Sequence, residues 1–187
     1  MITEPLTVEI AAMRRRHVRS VLRIEQQVYP RPWSHSLFLS ELALRATRSY
    51  FVARVGRDVV GYAGLMMTAE DGHITTIAID PSLQRHKLGT RLMVALVREA
   101  LARDALNLTL EVRLGNLAAQ HLYRRFGFAP VGVRKNYYQE AGSSSEQAED
   151  ALVMWVHAVD APEYSALLGS IERSIPGETV YEEPRRW

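Results

Sequence analysis

Thr75-Thr76-Ile77-Ala78-Ile79-Asp80-Pro81-Ser82-Leu83-Gln84-Arg85-His86-Lys87-Leu88-Gly89-Thr90 is the stretch whose reading decides the fold. It opens as a short β-branched run of buried-strand composition and breaks at Asp80-Pro81. It then becomes a basic, glycine-containing turn feeding a helix expected over Arg91 to Arg103. The first amides of a helix have no partner within it, and the helix dipole places partial positive charge there, so an anionic group is favoured at the turn. Arg85 and Lys87 add full charges at the same place, which makes a phosphate or pyrophosphate the natural guest. An ordinary strand-to-helix connection with a solvated basic face would use the same residues.

The bulk properties narrow the field. The 187 residues, 47% hydrophobic and 24% charged, suit one globular domain with a full core. A formal charge of +2 is too small for nucleic-acid binding by bulk electrostatics. With no cysteine, disulfides, thiolate metal sites and a thiol nucleophile are all excluded. Met1 to Leu6 carries an acid and a proline instead of a basic segment followed by an apolar one, and no apolar run approaches membrane-spanning length. The expectation is a soluble cytoplasmic protein with no membrane partner.

Outward from the central stretch, Leu6, Val8 and Ile10 alternate with polar residues as a half-buried first strand does, and Met13 to Val28 has helical spacing ended by Tyr29-Pro30-Arg31-Pro32. Arg14, Arg15, Arg16 and Arg19 read as a solvated helix face, since no aromatic residues interleave them as nucleic-acid binding would require. Ser34 caps a second helix. Tyr50 to Val55 and Val59 to Met67 flank Gly56-Arg57-Asp58 as an antiparallel hairpin, and His73 to Ile79 is the next strand. Met93, Leu96, Val97 and Ala100 form the apolar stripe of the following helix, which must lie on a sheet. Asn107 to Arg113 alternates Leu108, Leu110 and Val112 against Thr109, Glu111 and Arg113, so Glu111 sits on a rigid element. Asn116 caps a short helix to Arg125, and strands are expected at Val131 to Tyr138 and Ala151 to Val156, with a polar loop over Gln139 to Glu149. Residues 1–158 read as the domain. Residues 159–187 read as a C-terminal extension with one amphipathic helix, marked by Tyr164, Leu167, Leu168 and Ile171, and a polar tail that coenzyme binding can do without.

This order of elements, with Gln84-Arg85-His86-Lys87-Leu88-Gly89 after a strand, resembles the Gcn5-related N-acetyltransferase (GNAT) superfamily. Its acetyl-CoA signature is Gln/Arg-x-x-Gly-x-Gly/Ala, and Lys87 stands where the first glycine is usual. Leu110-Glu111-Val112-Arg113, Asn116, Ala119, Leu122-Tyr123, Phe126-Gly127-Phe128, Arg134-Lys135-Asn136-Tyr137-Tyr138 and Pro32-Trp33-Ser34 resemble its RimI-type subfamily, the ribosomal-protein-alanine N-acetyltransferases. The match covers roughly residues 6 to 157.

The resemblance implies an α/β GNAT fold: a mixed, mostly antiparallel sheet with helices on both faces, splayed at the acetyl-CoA site. It implies transfer of acetyl from acetyl-CoA to the N-terminal α-amine, alanine, of a ribosomal protein in a direct ternary complex, with no direct nucleic-acid partner. Acetylation of a lysine side chain, polyamine or antibiotic, and a non-catalytic acetyl-CoA-binding module, are the alternatives; a ribosome-associated adaptor using the arginine run is a third. The backbone of Ile77, Ala78 and Ile79 is expected to pair with the pantetheine arm, and Arg85, His86, Lys87, Leu88, Gly89 and Thr90 to cradle the pyrophosphate; lysine takes positive φ only at a cost, but in ordinary φ/ψ it would still offer its amide, and its ammonium attracts phosphate, so binding is expected to survive Lys87. Asn116 is a helix cap, a coenzyme contact, or both. Glu111 is the candidate general base, against a plain ion pair with Arg113 or Arg91. Tyr123 is the candidate acid for the coenzyme A thiolate, against a packed core tyrosine. The six histidines, among them His73, His86 and His121, show no metal-ligand spacing and are given no chemistry; no metal is expected.

Overall fold

The computed structural model describes residues 6–138 and 148–182. Eight strands form one sheet in the order β6-β7-β5-β4-β3-β2-β1-β8. They are β1 (Thr7–Ala12), β2 (Arg48–Val55), β3 (Asp58–Thr68), β4 (Asp71–Ile79), β5 (Asn107–Arg113), β6 (Ala129–Tyr138), β7 (Glu149–Val156) and β8 (Glu178–Tyr181). Only the β4/β5 and β1/β8 pairs are parallel. Helices α1 (Val18–Val28) and α2 (His35–Ala43) lie on one face, where Val21, Ile24 and Phe38 close a core over Val52 and Tyr62. Helices α3 (Leu88–Leu101), α4 (Leu117–Arg125) and α5 (Pro162–Arg173) supply the other core: Leu92, Met93, Leu96, Phe126, Leu168 and Ile171 against Leu65, Leu108 and Leu110.

Local chemistry explains most boundaries. Val55 faces Asp58 across a two-residue turn in which Gly56 takes φ +59°, a backbone that glycine alone adopts freely and that matches the twist of the flanking strands. The Asn116 side chain accepts from Ala119 N–H at 3.1 Å and starts α4, and Ser34 does the same for α2 through Leu37 N–H. The arginine segment begins with a short 3-10 turn, Arg15–His17, before α1, and Arg14 pairs with Glu182 at 2.8 Å. Helix α3 starts at Leu88, three residues before its expected start, because Lys87 takes the left-handed conformation and serves as its cap. The expected polar loop, Gln139 to Glu149, falls largely outside the described residues; Glu149 itself begins β7.

The C-terminal extension, expected to be dispensable for coenzyme binding, is packed into the fold. Tyr164, Leu168 and Ile171 of α5 are buried in the main core, and the Tyr164 hydroxyl donates to the Phe126 carbonyl at 3.0 Å. Glu178-Thr179-Val180-Tyr181, read as part of a polar tail, is β-prone and pairs with β1 from Thr7↔Glu178 to Ile10↔Tyr181. The Arg91 guanidinium, 1% exposed, donates to the Glu178 and Pro176 carbonyls and the Thr179 hydroxyl. A buried guanidinium needs such acceptors, and here they come from the extension.

Candidate active site

The site begins where β4 leaves β5. Their ladder runs from Asp71↔Asn107 to Ile74↔Leu110 and stops. The cause lies on the other side of β4: Gly64 faces Thr76 while Leu65 faces Ile74, so Thr75 is an extra, bulged residue. A bulge bends its strand, and the rest of β4 turns away from β5. Ile77, Ala78 and Ile79 thereby keep β3 as a partner but have none on the β5 side. The Ile77 carbonyl accepts the Tyr29 hydroxyl at 2.8 Å.

Two cavities open into this wedge. One, of about 510 Å³, is lined by Ile77, Ala78, Ile79, Arg85, Lys87, Leu88, Gly89, Thr90 and Asn116, with Glu111 and Tyr123 at its inner end. The other, of about 500 Å³, runs along the α1/α2 face past Glu25, Trp33, His73, Thr75, Tyr137 and Tyr138 and includes the same Glu111 and Tyr123. Tyr29, Ile77, Arg113 and Tyr138 line both as well.

The first cavity fits a pyrophosphate-bearing ligand with an extended arm. The amides of Leu88, Gly89 and Thr90 form the first turn of α3, which leaves them without helical acceptors, and Arg85 and Lys87 stand beside them. Lys87 has φ 60° and Arg85 φ 71°. Lysine here adopts the conformation glycine would supply, at a cost of about 1–2 kcal/mol. A Cβ on Gly89 would stand 3.2 Å from Leu122 Cδ2, so this turn is pressed against α4. His86 lines neither cavity; its ring Nδ1 lies 2.9 Å from the Gln84 carbonyl.

Glu111 lies at the cavity junction with its side chain 8% exposed. Its Oε2 is 2.6 Å from His73 Nε2 and its Oε1 is 3.2 Å from an Arg134 nitrogen, so its ionic partners are neither Arg113 nor Arg91. The hydrogen bond from His73, then the charges of His73 and Arg134, hold the carboxyl below its ordinary range in spite of burial. Arg113 instead binds Glu149 at 2.8 Å and stacks 4.4 Å over the Tyr138 ring, whose hydroxyl donates to the Glu111 carbonyl at 3.2 Å. Tyr123 is buried, with its ring 6.1 Å from that of Phe128, and its hydroxyl makes no hydrogen bond to any described residue. Burial, then Tyr29 and Tyr138, push its phenol above the ordinary range.

Sequence reading missed four groups here: His73, Arg134, Tyr29 and Glu25. The signal for His73 is the parallel register His73↔Thr109, which puts Glu111 two residues on and on the same face. Glu25 is 2% exposed; its Oε1 accepts the Trp33 N–H at 2.9 Å. Its burial follows from the turn back at Tyr29 to Trp33, which periodicity does not report. Among the described residues no group of three or more acids and histidines could hold a metal ion, and no helix is long and apolar enough to cross a membrane.

A splayed sheet with an anion cradle at one end of the wedge and an ionised carboxylate at the other defines an acyltransferase. The profile of the Acetyltransferase (GNAT) family matches residues 18–128, and the chain belongs to that family. Its acetyl donor is acetyl-CoA. The chain is 36% identical over 151 residues to the N-alpha-acetyltransferase RimI of Mycobacterium tuberculosis, covering 76% of this chain and 90% of that one. It is 30% identical over 145 residues to the [ribosomal protein bS18]-alanine N-acetyltransferase of Escherichia coli, covering 78% and 94%. The crystal structure of the ribosomal-protein-S18-alanine N-acetyltransferase from Escherichia coli superposes with a TM-score of 0.72 at 29% identity, over 81% of this chain and 94% of that one.

Proposed function

We propose that the protein is a cytoplasmic enzyme that acetylates the N-terminal α-amine of a ribosomal protein beginning with alanine, in a direct ternary complex. The observation that carries this reading is the meeting of the two cavities at Glu111 and Tyr123. The names of the relatives in Mycobacterium tuberculosis and Escherichia coli support the acceptor, and the aromatic walls at Trp33, Tyr137 and Tyr138 suit a peptide backbone better than a polyamine.

The bound co-substrate supplies an acetyl thioester. Ile77, Ala78 and Ile79 guide its arm along the free edge of β4, while Arg85, Lys87, the α3 amides and Asn116 hold its phosphate end. Glu111, held by His73 at 2.6 Å, takes a proton of the acceptor amine directly or through a water. A carboxylate held below its ordinary range is a weak base towards an α-ammonium, so full proton transfer beforehand is uphill. The α-ammonium first loses one proton to solvent, the neutral amine attacks, and Glu111 takes a second proton as the N–C bond forms and the nitrogen acidifies, which is when a nearby anion is worth most. Tyr123 gives its phenolic proton to the departing sulfur. With no cysteine in the chain, no acyl-enzyme through a thiol competes with direct attack.

The test is mass spectrometry of two peptides incubated with enzyme and acetyl-CoA, one starting with alanine and carrying a free α-amine, the other blocked at its N-terminus and carrying only lysine amines. The first is acetylated faster. Preferential acetylation of the blocked peptide overturns the assignment.

A further inference from the structure

Three carboxylates line the acceptor cavity, and two of them already hold cations. Glu41 binds Arg48 at 2.8 Å and accepts the Tyr50 hydroxyl at 2.7 Å; Glu111 holds His73 and Arg134. Glu25 differs. Its Oε1 is engaged by the Trp33 N–H, while Oε2 is buried with no hydrogen-bond partner among the described residues. A buried carboxyl oxygen without a donor is costly, and in a native fold it calls for an explanation. Of the cavity's basic groups, Arg48, Arg113 and His73 are bound to Glu41, Glu149 and Glu111, and Arg31 also lines the wall. Burial, offset in part by the Trp33 N–H, sets the ionisation of Glu25, with no neighbouring cation among the causes.

We propose that the Glu25 carboxylate is the anchor for the primary ammonium of the acceptor, its Oε2 receiving an N–H of the cation within the α1/α2-side cavity. An ammonium brings both the donor and the charge that Oε2 lacks. The site discriminates between substrate and product, because acetylation turns the cation into a neutral amide and removes the attraction, so the modified chain end is released. Thr75, the bulged residue at the splay, lines the same cavity as Glu25. The Trp33 contact ties the anchor to the α1–α2 loop, so the carboxylate that receives the amine also shapes the aromatic wall. The inference rests on the acetyltransferase reading of this cavity, while its core, a cation bound by Glu25, does not depend on which amine is the acceptor.

The experiment is equilibrium binding in the presence of coenzyme A, the unreactive thiol, for an alanine-starting peptide with a free α-amine and for the same peptide N-acetylated. Wild-type protein binds the free amine at least 10-fold more tightly. Glu25→Gln, which keeps an acceptor for the Trp33 N–H, erases that preference and leaves the affinities for the acetylated peptide and for acetyl-CoA unchanged. Glu25→Asp, with a shorter carboxylate, gives an intermediate preference and serves if the glutamine variant does not fold. Persistence of the full preference in these variants overturns the proposal. An N-blocked lysine peptide and spermidine run beside the first pair. If one of them is bound in place of the alanine peptide, the acceptor assignment fails while the anchor is tested on that amine. If wild-type protein binds no amine of the panel, both fall.

Discussion

Raising the pH through neutrality should remove stability from the wild-type protein that Glu25→Gln keeps. The Glu25 carboxyl is pushed by burial from 4.5 up to about 7, against a small opposing effect of the Trp33 N–H. Between those values the unfolded chain has released this proton and the native chain still holds it. Stability from this group is therefore fully present below about pH 4.5 and is lost as the pH rises through about 7. At about 1.4 kcal/mol per pH unit the loss approaches 3 kcal/mol, and we expect 2 to 3 kcal/mol because the native structure relaxes around the charge. Glutamine has nothing to titrate, so the difference in unfolding free energy between variant and wild type should grow by that amount from pH 4.5 to pH 8. Urea titrations of both proteins at four or five pH values, followed by tryptophan fluorescence, measure it, since all other titrating groups cancel in the difference. Tyr29, the ionisable neighbour coupled to Glu25, is itself pushed upward by burial and stays neutral throughout. Two parallel pH profiles would refute the reasoning and show that Glu25 is solvated like a surface glutamate.

Glu111→Gln keeps shape and removes the charge, so kcat should fall by roughly 10² to 10⁴ at neutral pH with acetyl-CoA affinity nearly intact; an unchanged rate would leave Glu111 as the ionic partner of His73 and Arg134. Gly89→Val should abolish the thermal stabilisation by acetyl-CoA, about 2.7 kcal/mol at 100 times Kd in the wild type, because even a Cβ meets Leu122 at 3.2 Å and the added methyls crowd the cradle. A chain ending at Asp160 should fail to fold cooperatively by circular dichroism. Uncovering the sites of Tyr164, Leu168 and Ile171 costs roughly 5 to 8 kcal/mol, and Arg91 loses its acceptors besides.

The strand-turn-helix of residues 75 to 90 was legible because it is local: β-branched run, Asp-Pro break, basic turn. Glu111 was legible for the same reason, its alternation with Leu110 and Val112 placing it on a strand face. Its partners were not. Arg113 is near in sequence, but the lattice of strands turns it towards Glu149, while His73 reaches Glu111 only through the β4/β5 register, a property of two strands and the helix between them. Arg91 lay hidden for a similar reason: its acceptors belong to a segment some 85 residues downstream that reaches it only through the β1/β8 pairing. Lys87 is a different case: residue type disfavours a left-handed backbone, and the geometry of the turn imposes one all the same.

The parallel pairing of β1 with β8 also constrains how the molecule is made. Residues 7 to 10 wait for residues 178 to 181, so about 170 residues of synthesis separate the two halves of one ladder. At roughly 5 to 20 residues per second that is on the order of 10 to 30 s during which the outer edge of β1 has no partner on the ribosome. An unpaired strand edge is a template for the wrong chain. Until β8 arrives, then, each nascent copy carries an adhesive border, and crowded polysomes are where this protein is most exposed to aggregation.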